Sequence, residues 1–208
     1  MNHIEKSIYH ITHKSNLPSI IEKNGLYCDA QTSDINHQSV AYPAIKERRR
    51  KTEVPFFPGS YLSDFVPFYF TYRSPMLYAI HTKCVPSCID YSQDSIIYFV
   101  AKINNILEYS KDYFFTNGHP VEAVTNFFHD IADLDKIDWE LIDSRSWSNT
   151  PEDNDRKRRK QAEFLLKSFA PLSLFDKIAV YDENTKRETE GLFSSLQIPI
   201  EVIGSWYY

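Results

Sequence analysis

The stretch TPEDNDRKRRKQAEFLLKS, residues 150–168, decides how the chain is read. Thr150 has a hydroxyl able to accept from a first-turn N–H, Pro151 suits the first helical position, and Glu152 and Asp153 favour the positive end of a helix dipole, so a helix start is expected there. Arg156-Lys157-Arg158-Arg159-Lys160 then sets five cations side by side, and Gln161-Ala162-Glu163 runs into apolar Phe164-Leu165-Leu166. Glu163 therefore stands where a polar loop meets a segment that should be buried, a border at which a carboxylate is held rigid while still reaching a cleft. The run reads either as a solvated basic face with Glu163 as counter-charge, or as a grip on a polyanion beside a working carboxylate.

Outward from that stretch, 208 residues suit one domain, 1–208, with enough chain for a substantial core. Aromatic residues make up 15%, with 14 Tyr and 14 Phe, more than a core needs, and exposed rings stack on bases. Net charge is −5, so contact with nucleic acid must come from local patches, at 48–51 and 156–160. Cys28, Cys84 and Cys88 form an odd set without a CxxC pair, which speaks for free thiols in a reducing compartment. His81 near Cys84 and Cys88 gives no four-ligand zinc pattern, and no metal is expected. No leader, membrane-length apolar run or repeat is visible, so a cytoplasmic location is expected.

Taken in order, Ile8-Tyr9-His10-Ile11-Thr12 alternates as a strand does, and Leu17, Ile20 and Ile21 have helical spacing, with Gly25 where a left-handed C-cap is expected. Residues 31–44 read as loop and 45–52 as a basic patch in which adjacent arginines cannot all face one way. Phe65 to Phe70 reads as a buried strand with Tyr69 turned toward a cleft, 95–101 as a strand buried on both faces, and 113–116 as another. Asn117-Gly118-His119-Pro120 is a turn that should expose His119, and 121–131 looks helical. Strands at 176–181 and 198–203 flank a helix over 183–196. Many short strands with few helices make a mixed α+β chain.

These segments resemble the DarT family of DNA ADP-ribosyltransferases. The resemblance lies in Tyr9-His10-Ile11-Thr12-His13 with Asn16-Leu17 and Gly25-Leu26, in Glu47-Arg48-Arg49, and in Val66-Pro67-Phe68-Tyr69-Phe70 with Arg73-Ser74-Pro75-Met76. It continues through Asn117-Gly118-His119, Asp135-Lys136-Ile137-Asp138-Trp139, the 150–164 stretch and Ser205-Trp206-Tyr207-Tyr208, in the family's order over nearly the whole chain. It implies an ADP-ribosyltransferase-like split β-sandwich core with peripheral helices and NAD in the cleft between its sheets. It also implies a bacterial toxin that moves ADP-ribose from NAD to a base of single-stranded DNA, thymidine in the best-known branch, and a separate macrodomain antitoxin that removes the mark. Glu163 would be the catalytic carboxylate, with Arg49 or Arg48 beside it. His10, Ile11, Thr12, Asn16, Gly25, Leu26 and Tyr69 would frame NAD, while Gln161, His119, Met76, Arg156, Arg158 and Arg159 would meet the acceptor strand. Two other readings stand beside this one: an RNA-modifying enzyme of the same fold, like the tRNA 2′-phosphotransferase, and a nucleic-acid-binding module without catalysis.

Overall fold

The computed structural model describes residues 3–33, 35, 37–192 and 198–208. In chain order the strands are β1 Ser7–His13, β2 Gly25–Tyr27, β3 Phe65–Tyr69, β4 Ile96–Lys102, β5 Tyr113–Thr116, β6 Phe127–Phe128, β7 Glu163–Lys167, β8 Phe169–Pro171, β9 Lys177–Val180 and β10 Ile200–Val202. The α-helices are α1 Leu17–Glu22, α2 Pro43–Arg49, α3 Pro75–His81, α4 Ile103–Tyr109, α5 Trp139–Asp143, α6 Arg156–Arg159 and α7 Glu183–Leu192. None of the described helices is long and apolar enough to cross a membrane.

Eight strands form one sheet in the order β10-β9-β4-β1-β3-β7-β5-β6, and β2 and β8 form a second. All neighbours are antiparallel except β9 and β10. The apolar run in β4 is covered on both faces, as its composition requires: Ile97, Phe99 and Ala101 join the main core, and Ile96, Tyr98 and Val100 join the cluster under α3.

The expected split lies at the middle of the large sheet. β1 pairs along its whole length with β4 but meets β3 only at Tyr9↔Tyr69. Two residues before Tyr69 stands Pro67, whose carbonyl accepts a 2.9 Å hydrogen bond from the His10 ring Nδ1. A strand residue turns its N and its carbonyl to the same edge, so at Pro67 the edge facing β1 carries no N–H to extend the ladder. The two half-sheets part there, and a cleft opens.

Several local expectations change. The Thr150 hydroxyl does accept from the Asp153 N–H, at 3.1 Å, but it closes an isolated turn. The helix begins only at Arg156: the Asp153 carboxylate takes the Asp155 N–H at 3.3 Å, and Asp155, at the N-cap, turns its carboxylate to Arg158 rather than to the helix backbone. Residues 121–131 are turns followed by the edge strand β6: the Asn126 N–H is taken by the Asn117 side chain at 2.9 Å, and Phe127 and Phe128 pair with β5. Residues 43–49, expected as loop and patch, form α2, with Pro43 at its first position. The helix expected over 183–196 is observed to Leu192, and residues 193–196 lie outside the described ones.

Gly25 is not the left-handed residue after α1; Asn24 is, at φ 55°. Gly25 opens β2 instead, where an added Cβ would stand 2.4 Å from the Ala170 carbonyl oxygen and 2.5 Å from the Phe169 ring. The glycine is required by close approach of β8, and backbone cannot yield cheaply. Gly25→Ala is therefore expected to lower stability by about 1–3 kcal/mol. Thermal or denaturant unfolding reads this directly, and an unchanged midpoint would show that β2 and β8 can separate at little cost.

Candidate active site

The cleft narrows to a cross-strand row. Tyr9 faces Tyr69, and Tyr69 faces Glu163, the first residue of β7. Around this row lies a cavity of about 410 Å³, within the range of ligand sites, and its wall brings together residues named from the sequence. His10, Ile11, Thr12 and Asn16 come from β1 and its exit, Gly25 and Leu26 from β2, Tyr69 from β3, Met76 from α3, Arg49 from α2, and His119, Gln161 and Glu163 from the far half. Arg48 and the basic run are not among the lining residues.

Glu163 is 3% exposed, and burial raises its pKa above the ordinary glutamate value of 4.5, against the counter-pull of Arg49. Arg49 Nη1 donates to both carboxylate oxygens, at 3.2 and 2.9 Å. Arg48 turns away, donating to the Val121 carbonyl at 2.6 Å and to Glu122 at 3.1 Å. Consecutive residues on a helix point about 100° apart, so only one arginine of the pair can face the carboxylate. Burial raises the Tyr69 hydroxyl strongly, with the Glu163 charge adding to it, so it stays a neutral phenol.

Two buried polar atoms in this wall have no hydrogen-bond partner among the described residues: Arg49 Nη2 and His119 Nδ1. Unpaired buried groups cost stability, and their place in the wall of the cavity that Glu163 also lines fits a polar ligand with acceptors to offer. His119 is half-buried rather than exposed, and burial, with Arg49 and Arg48 nearby, pulls it down to about 4. His10 is likewise pulled down to about 4, chiefly by burial. Its Nδ1 must carry the hydrogen given to the Pro67 carbonyl, so Nε2 is left as an acceptor. Asn16 is saturated otherwise: it donates to Thr12 Oγ1 and the Gln38 carbonyl, both at 2.9 Å, and accepts from the Gln38 N–H at 2.6 Å. It shapes the cavity by tying down the loop at Gln38. Thr116, which nothing in the sequence singled out, accepts from the Glu163 N–H at 3.2 Å and donates to the Gly118 carbonyl at 2.8 Å.

Residues 9–208 match the family model of DarT, the ssDNA thymidine ADP-ribosyltransferase. A DNA ADP-ribosyl transferase of Thermus aquaticus is 37% identical over 207 residues, 97% of this chain and 88% of that protein. The chain belongs to the DarT family. Among solved structures, Thermus sp. 2.9 DarT in complex with ADP-ribosylated ssDNA superposes with a TM-score of 0.90 at 34% identity, covering 98% of this chain and 97% of that one. The same Thermus protein in complex with NAD+ gives 0.84 at 31% identity, covering 98% of each chain. The chain is thus a DNA ADP-ribosyltransferase with NAD as its co-substrate, and the phosphotransferase and non-catalytic readings are set aside.

Against what the DarT resemblance implies, the basic run differs most. Arg158 is held by Asp155 at 2.8 and 2.6 Å and by Thr125 at 3.1 Å. Arg159 lies between Asp138 and Asp153. Arg156 donates to the Ser148 and Ser146 carbonyls at 3.1 and 2.6 Å. Lys160 is 1% exposed. Only Lys157 of the five is exposed, so the run does not form one open grip. Gln161 lies in the turn before β7, with its amide donated to the Lys157 carbonyl at 2.9 Å, and it still reaches the cavity wall.

The two site histidines make stability depend on pH. Each has a folded-state pKa near 4 against an ordinary value of 6.5, so between those values the unfolded chain binds more protons. Stability is then lost as pH falls from 6.5 to 4. Melting curves across this window should steepen for the natural protein relative to His10→Gln/His119→Gln; equal slopes would place both imidazoles in water.

Proposed function

We propose that this chain, acting as one catalytic domain over residues 1–208, transfers ADP-ribose from NAD to thymine N3 in single-stranded DNA, with Glu163 as the catalytic carboxylate and Arg49 as its partner. The observation that carries the assignment is the buried Arg49–Glu163 pair at the point where the sheet divides, with Arg49 Nη2 left unpaired.

The bond between nicotinamide nitrogen and ribose C1′ breaks, its electron pair leaves with nicotinamide, and positive charge builds on the ribose. An anion beside that centre stabilises it, and a site poor in water strengthens the effect. Thymine N3 then bonds to C1′, and its proton passes to Glu163. Burial makes this carboxylate a better base, while Arg49 pulls it back toward the ionised form. The free Arg49 Nη2 fits an acceptor oxygen, either of the diphosphate or of the thymine carbonyl. His10 Nε2 offers an acceptor to a ribose hydroxyl, Thr12, Gly25 and Leu26 line the same wall, and the neutral Tyr69 ring flanks nicotinamide. Gln161, His119 and Met76 face the incoming base. Of the basic run, Lys157 and the partly exposed Arg156 remain for phosphate contact, while Arg158 and Arg159 support the turn. Three free cysteines suit action in the reducing bacterial cytoplasm. The DarT resemblance supports a toxin role and a separate macrodomain protein that removes the mark.

With NAD and an oligonucleotide of all four bases, the oligonucleotide mass should rise by one ADP-ribose, and an oligonucleotide without thymidine should stay unlabelled. Glu163→Gln should cost about 10²–10⁴ in rate. The acid limb of the pH–rate profile should lie above the ordinary glutamate value, because the ionised form works and its pKa is raised. Labelling undiminished in Glu163→Gln would overturn the assignment.

A further inference from the structure

We propose that Arg158, Arg159 and Lys160 form an internal clamp, with Lys160 as a positioning residue, that holds the Gln161–Glu163 turn against α5 and so commits the ribose centre to the DNA base rather than to water. The proposal rests on the catalytic reading above.

Lys160 Nζ donates to three backbone carbonyls: Leu141 at 3.2 Å, Ile142 at 2.7 Å and Ser144 at 2.7 Å. An ammonium has three protons, so the group is saturated, and the carbonyls cluster at the C-terminal end of α5 and its cap residue Ser144. Arg159, one residue earlier, binds Asp138, which caps the other end of α5 by accepting from the Leu141 N–H at 3.1 Å. Two adjacent cations thus hold both ends of one five-residue helix. That helix is itself fixed in the core, through buried Leu141 and Ile142 and through Trp139 packed edge-on against Phe70 at 5.3 Å.

From the other side, Arg158 lies against Gly118, where an added Cβ would stand 2.1 Å from its Nη1. The Arg158 carbonyl accepts from the His119 and Gln161 N–H groups at 2.9 and 3.1 Å, and the Arg159 carbonyl accepts from Ala162 at 3.1 Å. The turn bearing Gln161 and Glu163 is therefore tied to α5, to the 117–125 segment and to β5. A grip on phosphates needs cations that are free to pair; Arg158 and Arg159 are already neutralised by aspartates, and Lys160 is saturated by carbonyls.

The chemistry gives this rigidity a use. Once nicotinamide has left, C1′ can bond to thymine N3 or to a water oxygen, the latter releasing free ADP-ribose and a proton. A displacement near 1 Å at the residues that orient the acceptor can cost about a hundredfold in the oriented reaction, while water needs no such orientation.

The test compares the natural protein with Lys160→Met, which keeps length and removes the donors, and with Asp138→Asn, which weakens the same clamp from α5. Labelled thymidine per nicotinamide released should fall roughly ten- to a hundredfold in both variants. The dependence of oligonucleotide affinity on salt should keep its slope. A slope reduced by about one would assign the run to phosphate binding and overturn the clamp, as would an equal fall in labelling and nicotinamide release. Amide exchange at Gln161, Ala162 and Glu163 reads the clamp without catalysis: faster exchange is expected in both variants, and unchanged protection overturns the proposal even where the natural protein's own labelling fails and only the parent reading falls. If Lys160→Met does not fold, Asp138→Asn decides by the same readouts.

Discussion

The site depends on a missing hydrogen at one position. Pro67 gives the edge of β3 a carbonyl but no N–H, and His10 takes that carbonyl with its ring instead of letting β1 zip onto β3. Pairing along the full length of β1 and β3 would leave no opening between the two halves of the eight-stranded sheet. Because pairing stops at Tyr9↔Tyr69, the half-sheets separate, and β1 exits toward α1 on one side while β3 keeps full register with β7 on the other. Glu163 stands at the apex because antiparallel register places it opposite Tyr69. One proline thus bears on where the cavity lies, and the register on which carboxylate it meets.

Burial and charge then oppose one another at that apex. Taking Glu163 out of water favours its neutral form, and Arg49 favours the ionised one. A buried ion pair of this kind adds little net stability, and an apolar pair of similar volume would fold as well or better. What the pair supplies is a carboxylate made more basic by burial, with a cation beside its ionised form, in a site with little solvent. The unpaired Arg49 Nη2 and His119 Nδ1 belong to the same trade, since groups left open in the free protein are those a ligand can satisfy.

How far the sequence discloses this differs by the range of the interaction. β4 and β7 are legible as apolar runs because their burial is local to the segment. The choice between Arg48 and Arg49 is not, since it depends on the phase of α2; Pro43 at a helix start was the available sign. Gly25 looked like a helix cap because glycine after a helix so often is one, yet its reason is Phe169 and Ala170, remote in sequence. His119 sits on a turn, and turns are usually exposed, but the Arg158 carbonyl draws its backbone inward. Cations in a row suggest an open face because Leu141, Ile142 and Ser144 as backbone acceptors leave no mark in composition. Asp155 at three and four residues before Arg158 and Arg159 was a sign of internal pairing that lay in plain view.

The distribution of charge also bears on how a chain of net charge −5 deals with a polyanion. Counter-ion release scales with the number of phosphates neutralised, and a run in which Arg158 and Arg159 already face aspartates and Lys160 is saturated has less left to neutralise. Affinity for the strand must then come more from the bases, through ring stacking and edge contacts, than from the backbone. Such binding discriminates between nucleobases while giving only modest non-specific attraction, and it leaves paired DNA, whose base faces are covered, a poor partner. On this view the preference for a single strand and the choice of base share one cause: the cations that would have made binding indiscriminate are used to hold the turn that makes it selective.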